Sequence, residues 1–300
     1  MLLRALSLAL AISAGCGRIG FDDETARSLD GGGDGNGGGD GATSFSAWSQ
    51  PHHLTNLQSA ANEWEATIDP TGLVLVFTRD DGSGANLMVS TRPSITAEFE
   101  VPALIPAAST PADEYGAAWS PDGTQLYFYS GGGSGSARYL TYQAGAFSAI
   151  SMTAADLPQN GFSWVFTTDG HEVFYTTNPS NLEYDLHHAT RTGTTGPFTV
   201  SDGDIAMLQR AVGNEGWPTL DSSQNTLYFE RTVASGNNAI QQATRTAPGL
   251  PFGAPIPVDY PTFDDGDPDL SNNDLTLVFD STRLGGGLRN ELFIMTRTVQ

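Results

Sequence analysis

Apolar residues in this chain come in short runs separated by turns rich in Gly, Asp, Asn and Pro. The clearest run lies in residues 119–130, WSPDGTQLYFYS, where a Pro-Asp-Gly turn precedes an apolar strand at residues 126–128. After residue 20, no stretch has the 3.6-residue apolar period of an amphipathic helix. The pattern therefore predicts an all-β fold made of short strands joined by tight turns.

This turn-and-strand unit occurs five times. Its strands end at Phe77, Phe128, Tyr175, Phe229 and Phe279, in steps of 51, 47, 54 and 50 residues. Each unit continues with a polar loop, a strand that ends in Thr-Arg in four units, and a segment that begins with Phe. With the strand before each turn, every unit has four strands. A period near fifty with four strands predicts a β-propeller.

The two ends of the chain are expected to share one blade. The fifth unit stops at Gln300 after its third strand, and residues 45–52, FSAWSQPH, match the Phe-led segments of the other units. We therefore expect a strand at about residues 45–53 to complete the last blade and close the ring. The prediction is a five-bladed propeller over residues 45–300, with four-stranded antiparallel blades.

The repeat resembles that of a known family. The motif SPDGTQLYF at residues 120–128, followed later by strands that end in Thr-Arg, is similar to the TolB-like propeller repeat of bacterial envelope proteins. The resemblance covers about residues 45–300, although units four and five lack the Asp-Gly pair. It implies binding or scaffolding at the cell envelope rather than chemistry. TolB itself has six blades and a further N-terminal domain, so its partners are not carried over.

The N-terminal residues predict a lipid anchor. Residues 1–15 read as a signal peptide, because the apolar run at residues 6–12 is too short to cross a bilayer. Residues 13–16, SAGC, resemble the bacterial lipoprotein signal, with Ser13 where that signal prefers a larger aliphatic residue. The resemblance implies lipidation of Cys16, the only cysteine, and Gly17 after it favours the outer membrane, on either face. The Gly/Asp-rich remainder of residues 16–44 is a predicted flexible tether.

The charge limits the possible partners. The net charge is −21 and every basic residue is Arg. Such a surface excludes nucleic acid, which needs a basic footprint, and disfavours anionic lipid headgroups. We therefore expect a monomer whose membrane contact is its lipid anchor. Divalent cations, basic partners and neutral sugars stay open, as does a role for acidity in solubility alone.

One column of acids and amides opens the first strand of each unit. It comprises Asn62-Glu63, Asp113-Glu114, Asn160-Gly161, Asn214-Glu215 and Asp264-Asp265, with aromatics at Trp64, Tyr115, Phe162 and Trp217 and further acids at Asp267 and Asp269. In a propeller the first strand of each blade lines the central channel. We therefore expect these residues to form a ring at one mouth of the channel.

Three interpretations of this ring compete. Asn and Asp often cap turns by bonding nearby backbone, which would be structural. A ring of acids and aromatics would also suit calcium, a cationic peptide end or a sugar. A hydrolase would need two carboxylates about 5–10 Å apart across an open funnel, and no distinctive pair stands out. We expect a non-enzymatic module that binds an envelope protein or a small ligand, and the alternative is a carbohydrate-active hydrolase. We expect no cofactor, with bound calcium as the alternative.

Histidine and arginine offer no catalytic pattern. His187 and His188 are adjacent on a predicted strand, so their side chains point to opposite faces and cannot share a metal ion. We expect both at the surface. The Arg residues cluster at strand ends, and since Arg pairs well with carboxylates, we expect them to form ion pairs between blades.

Overall fold

The computed structural model describes residues 44–131, 135–178, 183–258, 263–284 and 290–300. The expected signal peptide, Cys16 and all of the tether except Ser44 lie outside these ranges. Within them, no helix combines the length and the apolar character needed to cross a membrane.

The described chain forms five β-sheets, one for each repeat, and every strand pair within them is antiparallel. A first strand, β1 (His52–His53), precedes a 3-10 turn at Thr55–Leu57. Blade 1 contains β2 (Asn62–Ile68), β3 (Val74–Asp80), β4 (Ala85–Thr91) and β5 (Ala103–Leu104). Blade 2 contains β6 (Glu114–Trp119), β7 (Gln125–Ser130), β8 (Ser136–Gln143), β9 (Ala146–Phe147) and β10 (Met152–Thr153).

The remaining three blades follow the same order. Blade 3 contains β11 (Gly161–Phe166), β12 (Glu172–Thr177), β13 (Asp185–Thr190) and β14 (Thr199–Val200), followed by a 3-10 turn at Asp202–Ile205. Blade 4 contains β15 (Glu215–Leu220), β16 (Thr226–Thr232), β17 (Asn238–Thr244) and β18 (Ile256–Pro257). Blade 5 contains β19 (Asp265–Leu270), β20 (Thr276–Ser281) and β21 (Glu291–Thr296), with β1 as its fourth strand.

The N-terminal strand closes the ring, as predicted. β1 pairs with β21, with His52 opposite Ile294 and His53 opposite Phe293. Upstream, the Ser49 amide donates to the Thr296 carbonyl at 2.8 Å. Closure from the other end of the chain removes the open sheet edges that a linear array of blades would leave. The predicted five-bladed, antiparallel propeller is confirmed.

The hydrophobic core lies between neighbouring blades. One cluster joins Val76 and Leu87 of blade 1 to Leu126 and Phe128 of blade 2, and all four side chains are fully buried. Equivalent clusters fill the other junctions. Since no single blade covers its own faces, burial of apolar surface stabilises the ring as a whole.

The Thr-Arg and Phe motifs form one repeated clamp. Arg92, just after β4, donates from Nε to the Gly72 carbonyl at 2.7 Å, which fixes the turn between β2 and β3. Its guanidinium lies 4.6 Å from the ring centre of Phe99, at the start of the outer segment. The clamp therefore ties the inner turn of a blade to its outer strand through a cation–π contact.

Three other blades repeat this clamp. The pairs are Arg191 with Phe198, Arg245 with Phe252 and Arg297 with Phe45, at 4.3, 4.7 and 4.0 Å. Blade 2 has no such Arg, and the Tyr142 ring packs on Phe147 instead, at 4.8 Å. Because Phe45 and Arg297 come from opposite ends of the chain, their contact reinforces the closure of the ring.

The expected inter-blade ion pairs are mostly wrong. Arg79 binds Glu63 at 2.9 Å, and the two residues face each other across β2 and β3 of one blade. Arg231 and Arg283 likewise pair with acids of their own blades. Direct cross-strand neighbours are simply closer than the next blade. Arg245 is an exception among the described pairs, since it reaches Glu172 of blade 3 at 3.1 Å.

The expectation of surface histidines is also wrong for His188. Its side chain has no exposed area, stacks on Phe174 at 4.4 Å and lies 3.3 Å from Glu172. The reason is strand register, since His188 faces Phe174 across β12 and β13 and shares the packed face of blade 3.

Replacement of Arg297 by Ala should loosen the closure of the ring. It removes a charged hydrogen bond to the Asp274 carbonyl and the stack on Phe45, which together stabilise the fold by about 2 kcal/mol. Amide hydrogen exchange should accelerate in β1 and β21. The matched control, Arg191→Ala, removes the same clamp from blade 3 and should accelerate exchange there. Unchanged exchange in β1 for Arg297→Ala would contradict the assigned role.

Candidate functional site

Each innermost strand has a β-bulge at the same position. The register of β2 against β3 shifts between Trp64 and Thr67, and the other inner strands shift at equivalent places. One residue of each bulge has a left-handed backbone: Glu65, Gly116, Ser163, Trp217 and Asp267, with φ between 49° and 63°. Non-glycine residues adopt this conformation at a cost, so its repetition around the channel indicates a constraint.

The bulge amides link each blade to the one before it. A bulge releases a backbone N–H from the strand ladder, and that group needs another acceptor. Four described links are Gly116 N to Glu65 Oε2 (2.6 Å), Trp217 N to Thr176 Oγ1 (2.7 Å), Asp267 N to Glu230 Oε2 (3.3 Å) and Glu65 N to Asp267 Oδ2 (3.1 Å). At the fifth junction Ser163 N faces Gly116, which has no side chain to accept it.

A funnel of about 580 Å³ opens above the bulges. Its described lining contains six aromatic residues: Trp64, Tyr115, Tyr129, Phe162, Tyr184 and Trp217. It contains seven acids: Glu65, Asp80, Asp113, Glu230, Asp264, Asp267 and Asp280. Four amides, Asn160, Asn178, Asn238 and Asn290, complete its polar lining, and no described lining residue is Arg or His. The funnel is therefore acidic and aromatic at once.

Cross-strand pairing separates the funnel into two walls. In blades 1 to 3, an aromatic residue of the inner strand faces the second strand: Trp64 opposite Thr78, Tyr115 opposite Tyr129 and Phe162 opposite Thr176. In blades 4 and 5, Gly216 lies opposite Glu230 and Gly266 opposite Asp280. A Cβ on Gly266 would collide with the Glu230 carboxyl. Because glycine has no side chain, the acids of the second strand can reach the channel at these two positions.

The carboxyls of Glu230, Asp267 and Asp280 form the acidic wall of the funnel, which has few hydrogen-bond donors. The side chain of Asp267 lies within hydrogen-bonding reach of the carboxyls of Glu230 and Asp280, a contact that needs a shared proton. Asn290 Nδ2 donates to Asp280 Oδ2 at 2.6 Å. Within the described chain, Asp280 Oδ1 is buried and receives no hydrogen bond from an amide, hydroxyl or basic group. Such a group is costly to bury unless something else binds it.

Burial shifts the pKa values of these acids upward. The side chains of Glu230, Asp267 and Asp280 are 4%, 7% and 3% exposed. Desolvation, with repulsion between the carboxyls, raises the pKa of Glu230 to about 8 and places the pKa of Asp267 well above its ordinary value. Desolvation raises the pKa of Asp280 to about 7. The acidic wall is therefore partly protonated near neutral pH.

Trp217 and Glu65 form the floor of the funnel. Trp217 Nε1 donates to Glu65 Oε1 at 2.9 Å, which joins blade 4 to blade 1 across the channel. Glu65 also accepts from the Thr78 hydroxyl, and burial raises its pKa despite these hydrogen bonds. Below this level, the channel narrows to a cavity of about 30 Å³. The contact between Trp217 and Glu65 therefore marks the boundary between the wide funnel and the narrower part of the channel.

Asp269 lies deeper and holds blades together. It accepts hydrogen bonds from Ile68 N at 2.7 Å and from the hydroxyls of Thr67 and Thr219, each at 3.0 Å. Its side chain thus connects blades 5, 1 and 4. Burial raises its pKa to about 6 against these hydrogen bonds. Asp269 is not part of the funnel lining.

The structure brings half of the sequence-predicted ring together. Eight of those residues line the funnel: Trp64, Asp113, Tyr115, Asn160, Phe162, Trp217, Asp264 and Asp267. Asp113 Oδ1 and Asp264 Oδ1 also accept backbone N–H groups of the preceding blade, at 3.0 and 2.6 Å. Asn214 does the same for Tyr184 N at 3.0 Å but, like Asn62, is not in the lining. Asp113 and Asp264 thus accept hydrogen bonds from nearby backbone, as in turns, and also line the funnel.

Four predicted ring acids, Glu63, Glu114, Glu215 and Asp265, lie inside their blades instead. Glu114 accepts from Thr110 and Ser130, and the other three bind Arg residues. The reason is strand geometry, because consecutive side chains point to opposite faces and only one of each adjacent pair faces the channel.

Sequence reasoning missed Glu65, Glu230 and Asp280. Glu65 is brought into the funnel by the bulge, and Glu230 and Asp280 come from second strands that do not normally line a channel. One signal was present, since units four and five have Gly216 and Gly266 where the first three units have an aromatic residue.

Across the residues that the structure describes, no group of three or more His, Cys, Asp or Glu side chains is arranged to hold a metal ion.

Comparisons with known proteins agree with the fold. No family model matches the chain, and no curated protein matches it. An endo-arabinase from Bacteroides thetaiotaomicron is similar in structure, with 10% identity, a TM-score of 0.50, and coverage of 86% of this chain and 98% of that one. An α-L-arabinofuranosidase from Podospora anserina, in complex with cellotriose, has 11% identity, a TM-score of 0.50, and coverage of 79% and 91%. A TolB-like protein from Agrobacterium tumefaciens has 15% identity, a TM-score of 0.46, and coverage of 77% and 76%. At these identities the likeness concerns the fold.

The acidic wall should make the protein less stable as pH rises. Because the folded-state pKa values of Glu230 and Asp280 are raised, the fold favours their protonated forms, and that stabilisation is lost between about pH 4.5 and 8. The melting temperature should fall from pH 5.5 to pH 8.5.

The same melting series on two variants tests the assignment. Glu230→Gln should flatten the pH dependence, since the group no longer ionises. The control Glu98→Gln removes an exposed acid and should keep the slope of the native protein. An identical slope in Glu230→Gln and the native protein would show that the acidic wall does not cause the effect.

Proposed function

We propose that this protein is a non-enzymatic binding module that holds a small ligand in the funnel. The observation that carries the proposal is the donor-poor acidic wall, in which Asp280 Oδ1 is buried beside a cavity and receives no hydrogen bond from an amide, hydroxyl or basic group of the described chain. Fold stability alone gives no reason to keep such a group, because an apolar or amide side chain would cost less to bury.

The shape of the funnel supports a bound small molecule. Its volume, about 580 Å³, falls in the usual range of ligand pockets. The floor made by Trp217 and Glu65 gives the recess a defined depth. Aromatic rings on one wall and polar groups on the other provide apolar contact and orientation together.

A carbohydrate-active hydrolase is the second candidate. The observation in its favour is the raised pKa of Glu230, about 8, since a general acid must be protonated near neutral pH. The contact of Asp267 with both neighbouring carboxyls argues against it, because glycoside hydrolysis needs acids about 5–10 Å apart with the sugar between them. The fold shared with the endo-arabinase and the α-L-arabinofuranosidase carries no residue roles at this identity.

The N-terminal sequence extends the proposal to the cell envelope. Cys16, in the lipoprotein-like segment SAGC, would attach the propeller to a membrane, and the Gly/Asp-rich segment to residue 44 would act as its tether. Gly17 supports the outer membrane. In this setting the module would act as a monomer and bind a small ligand, with an envelope protein as the alternative partner.

Blocking the funnel should abolish ligand stabilisation. Asn160 is exposed and lines the funnel, so Asn160→Trp should fill the recess without disturbing the core. Thermal melting of the full-length protein should be screened against amines, amino acids, neutral sugars and divalent cations. At least one class should raise the melting temperature of the native protein by several degrees and have no effect on Asn160→Trp.

The matched control places the same ring at the opposite mouth. Asn272 is exposed and lines the other end of the channel, so Asn272→Trp should retain the stabilisation. Loss in Asn272→Trp alone, or no stabilisation by any class, would contradict a ligand site in the funnel. Release of sugar from arabinan or xylan, lost in Glu230→Gln, would favour the hydrolase.

Replacement of Cys16 by Ser should remove the lipid anchor. Labelled fatty acid should be incorporated into the native protein in a Gram-negative host and not into Cys16→Ser, which should move to the soluble fraction. Glu98→Gln serves as the labelled control. Labelling of Cys16→Ser, or a soluble native protein, would contradict the anchor.

A further inference from the structure

We infer that the ligand of the funnel is a small organic cation, whose ammonium or guanidinium group binds Glu230, Asp267 and Asp280 while its apolar body packs on Trp64, Tyr115 and Phe162. The inference rests on the proposed function and specifies its ligand class. It follows from the juxtaposition of a donor-poor acidic wall with an aromatic wall in one recess.

Among the residues that the structure describes, no Arg or His lines the funnel beside the acidic wall. Within the described chain, the acids Glu65, Asp264, Asp265 and the Glu230–Asp267 pair act on Asp280, and its hydrogen-bond donor Asn290 is neutral. Of these acids, Asp265 is compensated by Arg283 at 2.7 Å. A cation in the funnel would therefore supply both the missing charge and the missing N–H donor to Asp280 Oδ1.

The opposite wall selects an organic cation over a metal ion. Ring faces attract ammonium and guanidinium groups, and they also contact the hydrocarbon that carries the charge. Calcium and magnesium prefer converging oxygen ligands and gain nothing from indole or phenyl rings. The recess is also much larger than a single ion requires, since one water occupies about 30 Å³.

A neutral sugar suits the acidic wall less well. Its hydroxyls would donate hydrogen bonds but would leave the buried carboxyls without a counter-charge. A cation instead favours the ionised carboxylates and displaces the protons that Asp267 shares with its neighbours. Binding of an amine at pH 7.5 should therefore release protons into solution.

Isothermal titration of the full-length protein with paired compounds tests this inference. The probes are cadaverine and agmatine, with 1,5-pentanediol as the neutral counterpart of cadaverine, together with arabinose and calcium chloride. The amines should bind at one site and at least about tenfold more tightly than the diol. Titrations at pH 7.5 in buffers of different ionisation enthalpy should report release of protons on amine binding.

Variants locate the binding. Glu230→Gln and Asp280→Asn should each weaken amine binding by about tenfold or more, and Trp64→Leu should weaken it as well. Glu98→Gln, an exposed acid outside the funnel, should bind as the native protein does. If Asp280→Asn fails to fold, Glu230→Gln and the comparison of amine with diol decide the question.

A blocked Gly-Lys-Gly peptide that binds as well as cadaverine would identify a protein side chain as the source of the cation, whereas binding of the free amines alone would identify a metabolite.

Several results would overturn the inference while leaving the proposed function intact. These are diol or arabinose binding as tightly as the amines, calcium alone binding, or amine binding that is unchanged in Glu230→Gln and Asp280→Asn. If arabinose binds and Asn160→Trp abolishes that binding, the funnel is a ligand site for a neutral molecule. Absence of binding by every probe would overturn the assignment of an organic cation as the ligand. The wider melting screen would then test whether the funnel binds a ligand at all.

Discussion

The constraint on which the rest of the structure depends is the set of bulge amides around the channel. Each inner strand must turn its backbone to converge with four others, and the bulge that achieves this leaves one N–H outside the ladder. At four described junctions an acid or hydroxyl of the preceding blade accepts that N–H. Acids are therefore drawn to the axis of the propeller by backbone geometry, and the same acids define its recess.

A comparison of Thr176 with Glu230 shows that the bulge N–H groups do not require acidic acceptors. Its hydroxyl accepts the bulge N–H of Trp217 at 2.7 Å, which a neutral group does adequately. Glu230 accepts the equivalent N–H of Asp267 at 3.3 Å with a buried carboxyl whose pKa is raised. The acid therefore brings to the axis an ionisable group that ring assembly does not require. That group, together with the donor-poor Asp280, is the physical basis for a ligand in the funnel.

The sequence predicted the fold closely because every unit repeats the same local chemistry. The Arg and Phe motifs that mark the repeat are the two halves of one clamp, so Phe45 revealed the closing strand. The site was harder to predict. Its acids depend on a bulge at Glu65 and on second-strand positions opposite glycine, and neither the bulge nor the strand pairing is evident from periodicity. Adjacent residues such as Glu63 and Trp64 belong to the same column of the sequence repeat, although their side chains point to opposite faces of the strand.

The five bulge residues, Glu65, Gly116, Ser163, Trp217 and Asp267, also determine the symmetry at the axis of the channel, and three of them, Glu65, Trp217 and Asp267, line the recess. Five equivalent blades would present five equivalent subsites, and a ligand off the axis would then have five degenerate orientations. Here, one position contributes an acid, one a bare backbone, one a hydroxyl, one an indole and one a second acid. The backbone therefore keeps its pseudo-fivefold order while the chemistry at the axis has none, so an asymmetric ligand meets a single preferred orientation.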